Sequence, residues 1–195
     1  MATVACVIIA GPNRAKLIED QVLPSVLAHP FHEVVVIGLY KDGPGYRYLH
    51  FPEITGTTVD ALMKRDTAAV ATESDILVYL CDDHRLSPAF WSDLETYLPE
   101  PWDLLAPSRY TVREGLTIPL NMGRNEGYVG GHGIVVRRSA LRLLPWMAGL
   151  HRGPEARIWD VTHSLESQRR GARVIFAPDG VLALEDIEPG ATPWK

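Results

Sequence analysis

A short apolar run followed directly by three polar residues constrains this chain more than any other feature. Ile76–Cys81 has the length of one β-strand and is apolar on both faces, as expected of a parallel strand buried between two layers. Asp82, Asp83 and His84 come next. Open α/β sheets bind ligands at the carboxyl ends of such strands, so these side chains predict a binding site. A purely structural role is the alternative, because Asp is also common in turns and helix caps.

The first part of the chain predicts a parallel α/β unit. Residues 3–10 form a second apolar run, which ends in a turn at 11–14. A helical pattern follows, with a kink or a new turn at Pro24. Residues 34–37 are the next apolar run. Strand, helix and strand in this order predict a right-handed βαβ unit.

A helix predicted over 59–71 carries a carboxylate on its apolar side. Asp66 falls where an apolar residue is expected. A buried carboxylate needs a partner, which Arg65, Arg14 or a bound ligand could supply. The predicted apolar stripe of this helix consists of Val59, Leu62, Met63, Ala69 and Val70. The alternative is that this stripe is rotated, which would leave Asp66 in water.

The later part of the chain alternates less regularly between helix and strand. Ser87 predicts the N-cap of one helix, with Pro88 at its first position, and Ser139 predicts the N-cap of another. A third helix is predicted over 155–170, with Leu165 inward and Gly171 as terminator. The predicted strands are 102–106, 134–136, 174–177 and 181–184, and the predicted hairpin tip is Glu114 and Gly115.

Length and composition favour one soluble domain. The chain has 195 residues, 46% of them hydrophobic, and a net charge of −5 without a basic cluster, which argues against a general nucleic-acid binder. No apolar run has the length of a membrane span, and no signal-like segment opens the chain. Cys6 and Cys81 lie within apolar strands and predict free thiols in a reducing compartment, so we expect a cytoplasmic protein.

The candidate site favours phosphate binding through a divalent metal, because both common glycine-rich nucleotide-binding loops are missing from the sequence. Neither G-x-G-x-x-G after the first strand nor G-x-x-x-x-G-K-[ST] occurs, which argues against a dinucleotide-binding oxidoreductase and a P-loop enzyme. Carboxylates at a strand end suit a hard cation instead. Such an ion could neutralise a departing diphosphate.

Three motifs resemble those of the family 2 glycosyltransferases, over residues 3–186. The segment 4–14 is similar to the opening strand V-S-V-I-I-P-T-Y-N-R of that family. The segment 64–68 resembles its A-R-N helix, and 79–88 resembles its metal-binding strand end, F-L-D-x-D-D-x-x-x-P. The resemblance implies the GT-A (nucleotide-diphospho-sugar transferase) fold. That fold is a single Rossmann-like three-layer α/β/α sandwich with a mixed, mainly parallel sheet.

The resemblance also implies one domain, 1–195, whose two halves have different functions. Residues 1–106 would bind the nucleotide sugar, and 107–195 would form the acceptor side. Gly130, Gly131 and His132 belong to a segment that is similar to the family's glycine pair, although a plain flexible loop has the same composition. Trp159 and Asp160, followed by Arg169, Arg170 and Gly171, resemble its E-D-x-x-x-x-x-R-x-x-x-G segment. Asp160 would then be the general base, with Gly130, Gly131, His132 and Trp159 on the acceptor side.

Metal and donor residues follow from the same resemblance. Asp83 falls on the acidic position that contacts metal and diphosphate in the family, and His84 and Glu185, or Asp186, could complete the metal shell. Cys81 stands on the other acidic position, where Asp82 is the candidate to compensate. The β2-end aspartate of the family has no clean match, and Asp42 is its nearest substitute. The expected donor-binding residues are Ala10, Pro12, Arg14, Asp42, Arg65, Asp66 and Asp82.

Together these residues imply a metal-dependent, inverting glycosyltransferase of the hexosyltransferase type. It would use a nucleotide-diphosphate sugar and Mn²⁺ or Mg²⁺. The acceptor stays open between a small molecule, a glycan, a protein and modified DNA, and so does the oligomeric state. A degenerate nucleotide-sugar-binding module is the main alternative, which Cys81 and the missing aspartate favour. A nucleotidyltransferase is a weaker one, because no G-G-x-G-T-[RK] loop follows the first strand.

Overall fold

Two β-sheets organise the part of the chain that the computed structural model describes, which is residues 2–55, 58–113, 116–120, 127, 129, 133–143, 146 and 159–187. The larger sheet has seven strands in the order β10-β6-β9-β4-β1-β2-β3. Its strands are β1 (Val4–Ala10), β2 (Glu33–Gly38), β3 (Arg47–His50), β4 (Ile76–Cys81), β6 (Leu104–Ala106), β9 (Gly133–Arg137) and β10 (Val174–Phe176).

Most neighbours in this sheet run parallel. β1 pairs in parallel with β2 and β4, β2 with β3, and β6 with β10, whereas β9 runs antiparallel to both β4 and β6. The predicted mixed, mainly parallel sheet is therefore confirmed. Every residue of β1 is buried, because the strand has a neighbour on each side and a layer of side chains on each face.

A smaller sheet of four strands forms beyond the carboxyl end of β4, in the order β5-β11-β7-β8. Only Asp82 and Asp83 separate β4 from β5, so these two carboxylates lie where the two sheets meet. The strand predicted over 181–184 begins only at Leu184, because Leu182 adopts a left-handed φ of 50° that extended strand does not allow. The strands are β5 (His84–Leu86), β7 (Arg109–Arg113), β8 (Leu116–Leu120) and β11 (Leu184–Asp186).

Helices cover both faces of the larger sheet. Side chains of β1 alternate between two cores: Ile8 packs with α2 and α4, and Val7 packs with α3 and α5. This arrangement confirms the α/β/α layers. The helices are α1 (Ala15–Leu17), a π-helical turn (Ile18–Val22), α2 (Leu23–Leu27), α3 (Thr58–Ala71), α4 (Phe90–Tyr97), α5 (Arg138–Leu143) and α6 (Trp159–Arg169). Among the described residues, no helix is both long and apolar enough to cross a membrane.

Helix starts were predicted less well than strands. α4 begins at Phe90, with Ala89 as N-cap. Ser87 lies in the turn before it, where its amide donates to the Ala183 carbonyl and its carbonyl accepts from the Phe90 amide. α5 begins at Arg138, so Ser139 lies in its first turn instead of capping it. Pro24 begins the new helical turn expected of it, at the start of α2, where its missing N–H costs little.

Turn predictions fared better. Arg113 pairs with Leu116 across an antiparallel ladder, which confirms the predicted hairpin, although its two tip residues lie outside the described residues. Gly171 follows α6 with a φ of +90°, as expected of a helix terminator.

The inward faces of α3 and α6 differ from the predicted stripes. Val70 is 87% exposed, whereas Lys64 and Arg65 are buried, so the inward stripe of α3 is rotated. Lys64 is tolerated there because its Nζ donates to the Ala10 carbonyl (2.8 Å). On α6, Leu165 is 37% exposed, and His163, Ser164 and Ser167 are buried instead.

Candidate functional site

The carboxyl ends of three parallel strands form one edge. Ile9 stands opposite Cys81 in the register of β1 with β4, and Ala10 stands opposite Gly38 in that of β1 with β2. Gly38 has a φ of +142°, and a Cβ there would lie 2.2 Å from the Ala10 carbonyl oxygen. Only glycine therefore permits this close approach of the two strand ends.

Asp82 connects the end of β4 to the loop after β1. Its buried carboxylate accepts a hydrogen bond from the Gly11 amide. Burial, and to a smaller extent the negative charge of Asp83, raise the pKa of Asp82 to about 6, although the Gly11 hydrogen bond and the positive charge of Arg14 oppose the shift. Asp82 therefore contacts the loop that contains Pro12 and Arg14, and its part in donor binding stays a prediction.

His84 lies between two carboxylates. Its Nδ1 is 2.5 Å from Asp83 Oδ1, and its Nε2 is 2.8 Å from Asp186 Oδ1. The antiparallel register of β5 with β11 sets Asp186 directly opposite His84. Burial by itself lowers the pKa of His84, but the hydrogen bonds with Asp186 and Asp83 outweigh it and raise that pKa above its ordinary value. The cluster therefore favours a charged imidazolium in the absence of another cation.

Arg109, on β7, fixes Asp186. Its Nη2 lies 2.6 Å and 2.7 Å from the two carboxylate oxygens, and its Nε is 3.1 Å from Oδ1. Burial alone would raise the pKa of Asp186, but His84 and Arg109 lower it to about 2. Asp186 is therefore a fixed anion that holds His84 in place.

Cys81, Asp83 and His84 together could hold a metal ion. One donor atom from each of them lies within 4.8 Å of the other two. A carboxylate and an imidazole fit a divalent transition metal, and the thiol adds a soft donor. Burial raises the pKa of Cys81 to about 12, even though Arg65 Nη2 lies 3.7 Å from the sulfur. A bound cation would have to displace the thiol proton before sulfur could act as a ligand.

Glu185 does not belong to this cluster. Successive strand residues point to opposite faces, so Glu185 and Asp186 diverge. Glu185 instead forms a two-point ion pair with Arg85 (2.9 and 2.8 Å) and accepts a hydrogen bond from Tyr110. Of the two acidic residues on β11, the structure brings Asp186 to His84.

Two buried cations from α3 lie at the same edge. Lys64 forms an ion pair with Glu53 as well as its bond to the Ala10 carbonyl at the end of β1. Arg65 reaches Cys81 at the end of β4 and lies over the ring of Trp146 (5.7 Å). Sequence reasoning singled out Arg65 but missed Lys64 and Glu53, because Lys64 lies off the predicted apolar stripe of α3 and Glu53 lies outside any helix.

The remaining donor-side candidates lie in the loops that follow β1 and β2, and on α3. Pro12 and Asp42 are exposed and Arg14 is half-buried, in the loops that follow β1 and β2. Asp66 is half-buried on α3, and its Oδ1 accepts a hydrogen bond from the Trp146 amide (2.8 Å). Trp146 is thus a partner that the sequence did not indicate; its ring stacks on that of His163 at 4.1 Å.

The acceptor-side candidates are only partly described. Gly130, Gly131 and His132 lie outside the described residues. Trp159 and Asp160 form the beginning of α6, and only their backbone is described. Their predicted roles, like those of the donor residues, stay predictions.

No family profile and no curated protein sequence matches this chain. Its fold, in contrast, matches solved structures. Mannosyltransferase PcManGT from Pyrobaculum calidifontis, solved with GDP-Man and Mn²⁺, has a TM-score of 0.67 at 15% identity, over 98% of this chain and 58% of its own. TarS from S. aureus with UDP-GlcNAc has a TM-score of 0.63 at 15% identity, and the match covers 92% of this chain and 57% of TarS. GalNAc-T7 with UDP, GalNAc and Mn²⁺ has a TM-score of 0.60 at 13% identity, and the match covers 96% of this chain and 43% of GalNAc-T7.

These likenesses establish that the chain has the GT-A fold, as predicted. The chain spans less than two-thirds of the length of each of the three structures. Sequence identities this low show the fold and leave the assignment to family 2 as a prediction.

Proposed function

We propose that this chain is a metal-dependent glycosyltransferase domain, which transfers a sugar from a nucleotide-diphosphate donor to an acceptor hydroxyl with inversion. The GT-A fold supports this proposal, because the named structures with that fold contain GDP-Man and Mn²⁺, UDP-GlcNAc, or UDP, GalNAc and Mn²⁺. The sequence resemblance to family 2 supports it independently.

One observation carries the proposal: Asp83 and His84 meet at the carboxyl end of β4, between the two sheets. Ligands of open α/β sheets bind at this edge. A carboxylate and an imidazole that are both buried and adjacent form a site that a divalent cation can occupy.

Asp83 and His84 would hold Mn²⁺ or Mg²⁺. Such an ion supplies Lewis acidity and stabilises the negative charge of the departing diphosphate. Arg65 adds a positive charge at the same edge, which favours an anionic donor. The planar guanidinium of Arg65 suits a phosphate group. Ala10, Pro12, Arg14, Asp42, Asp66 and Asp82 complete the proposed donor-binding set.

Asp160 is the proposed general base. It would accept the proton of the acceptor hydroxyl while that oxygen bonds to the anomeric carbon and the bond from this carbon to the diphosphate breaks. Gly130, Gly131, His132 and Trp159, all within the proposed acceptor half (107–195), would contact the acceptor. The acceptor class is open between a small molecule, a glycan, a protein and modified DNA.

A nucleotide-sugar-binding module without turnover is the second candidate, and a specific observation favours it. His84 already satisfies both Asp83 and Asp186, and Cys81 replaces an acidic residue beside them. An ion must therefore displace the contact between His84 and Asp83, which weakens metal binding relative to a site of free carboxylates.

A donor screen separates these two functions. UDP, GDP, dTDP and CMP sugars are incubated with the protein and a divalent metal, and released nucleotide is quantified by mass spectrometry. Release that disappears in Asp83→Asn but persists in Glu100→Gln, an exposed carboxylate after α4, supports the enzyme. Calorimetric binding of a nucleotide sugar without nucleotide release supports the binding module. If no donor shows either release or binding, both proposed functions are refuted.

A further inference from the structure

Cys81 gives the metal-binding cluster a donor atom that is unsuited to Mg²⁺. Mg²⁺ prefers six oxygen ligands in octahedral geometry. Thiolate and imidazole ligands instead favour Zn²⁺ and related transition metals, which commonly take four ligands. The cluster offers one sulfur, one oxygen and one nitrogen, each from a different side chain.

The backbone brings these three donors together. Cys81 is the last residue of β4 and His84 is the first of β5, and only a two-residue turn separates them. The three donor atoms lie within 4.8 Å of one another, a spacing at which one ion could be held. Three protein ligands also leave a position open for a ligand oxygen, as in catalytic zinc sites.

The surroundings of His84 are those of a metal-bound histidine. Its Nε2 contacts Asp186 (2.8 Å), which leaves Nδ1 directed toward Asp83 and the proposed ion. Arg109 holds Asp186 through both carboxylate oxygens. Metal-binding histidines usually donate their second ring N–H to such a carboxylate, which fixes the ring and strengthens the ligand.

The sulfur lies among the charged groups of this edge. Arg65 Nη2 donates to Cys81 Sγ at 3.7 Å, so the sulfur is positioned toward the polar side of the strand end. Cys6, the other cysteine, is fully buried in the core and is not part of the cluster. The chain therefore contains its own control cysteine.

We propose that Cys81, Asp83 and His84 form a sulfur-containing metal centre that selects Zn²⁺ and similar transition metals over Mg²⁺. This inference deepens the proposed function and rests on it only in that the same ion would face the donor diphosphate. The departure of Cys81 from the acidic motif then changes which metal the site takes.

Cobalt spectroscopy of the metal-free 195-residue chain tests this centre directly. Co²⁺ should produce a near-ultraviolet sulfur-to-cobalt charge-transfer band in the wild type and in Cys6→Ala, but not in Cys81→Ser. Added Zn²⁺ should remove the band, and a large excess of Mg²⁺ should not. A wild type without the band, or a band that persists in Cys81→Ser, would overturn the proposal.

A second variant covers the case in which Cys81→Ser does not fold. Cys81→Asp should lose the band and bind Mg²⁺ more tightly relative to Zn²⁺ than the wild type does; an unchanged Zn²⁺-to-Mg²⁺ ratio counts against the centre. Calorimetry with nucleoside diphosphates separates the two proposals. The band without nucleotide binding would retain the centre and refute the transferase, and nucleotide binding with Mg²⁺ but without the band would do the reverse.

Discussion

His84 Nε2 and Asp186 Oδ1 lie 2.8 Å apart, although 102 positions separate the two residues in the sequence. This contact joins the turn after β4 to β11 of the smaller sheet. It places a fixed anion behind the histidine that faces Asp83, so the smaller sheet supports the candidate site.

Replacing Asp186 should weaken metal binding without changing a proposed ligand atom. Asp186→Asn keeps the size of the side chain but removes the charge that orients His84 and pairs with Arg109. We expect metal affinity to fall about 10–100-fold, as is typical when such a supporting carboxylate is lost. Competition with a metal-sensitive dye measures this, and Glu100→Gln serves as control. Affinity equal to that of the wild type would show that Asp186 does not support the site.

The Lys64–Glu53 ion pair should be strongly coupled. Lys64 is fully buried, so Lys64→Met leaves Glu53 without this cation and should lower the free energy of unfolding by about 3 kcal/mol. A double-mutant cycle with Glu53→Gln, followed by urea unfolding, measures the coupling. The exposed pair Lys16–Asp20 is the matched control, and its coupling should be much weaker because water screens the two charges. Equal coupling in the two pairs would contradict the role of burial.

His29 should make stability depend on pH. Burial lowers its pKa, although the hydrogen bond with the Ser87 carbonyl opposes this, so the unfolded chain binds the proton more tightly. Stability from this residue is present above the unfolded pKa of about 6.5 and is lost as pH falls toward the folded pKa. His29→Gln retains a donor to Ser87. Between pH 7 and pH 5 the wild type should therefore lose more free energy of unfolding than the variant; parallel curves would contradict this.

Asp160 should act on chemistry and not on donor binding. Asp160→Asn retains shape but cannot accept a proton, so transfer should fall by about 10²–10⁴-fold. Nucleotide affinity and melting temperature should stay near those of the wild type, because Asn is also tolerated at helix starts. Both quantities are measured on one preparation with the donor from the screen. Near-normal transfer would remove Asp160 from the mechanism.

The sequence predicted the end of β4 before Asp82 and Asp83 correctly, because a strand end depends on local signals. A buried strand that ends in Asp82 and Asp83 identifies a strand end without any knowledge of its neighbours. Local signals could not decide which of Glu185 and Asp186 lies beside His84. Neighbouring strand residues point to opposite faces, so a shift of one residue exchanges them. Arg109 was missed because its role depends on a pairing of β7 with β11 across 77 positions.

The burial of Lys64 was missed for a related reason. Helical periodicity assumes that charged residues face water, and it assigned Val70 to the inward stripe. The carbonyl of Ala10 and the carboxylate of Glu53 compensate the Lys64 charge, and neither partner is close to it in sequence. Periodicity cannot detect such compensation, so the rotation of α3 became visible only in the structure.

The most direct test of the metal-dependent donor site is the melting shift that a nucleoside diphosphate produces with and without metal. With Mn²⁺ or Zn²⁺ present, the wild type should be stabilised by about 2.7 kcal/mol at a ligand concentration one hundred times the dissociation constant. The metal-dependent part should vanish in Asp83→Asn, while the variant keeps its fold. Identical shifts with chelator and with metal, in the wild type, would contradict a metal-dependent donor site at Asp83.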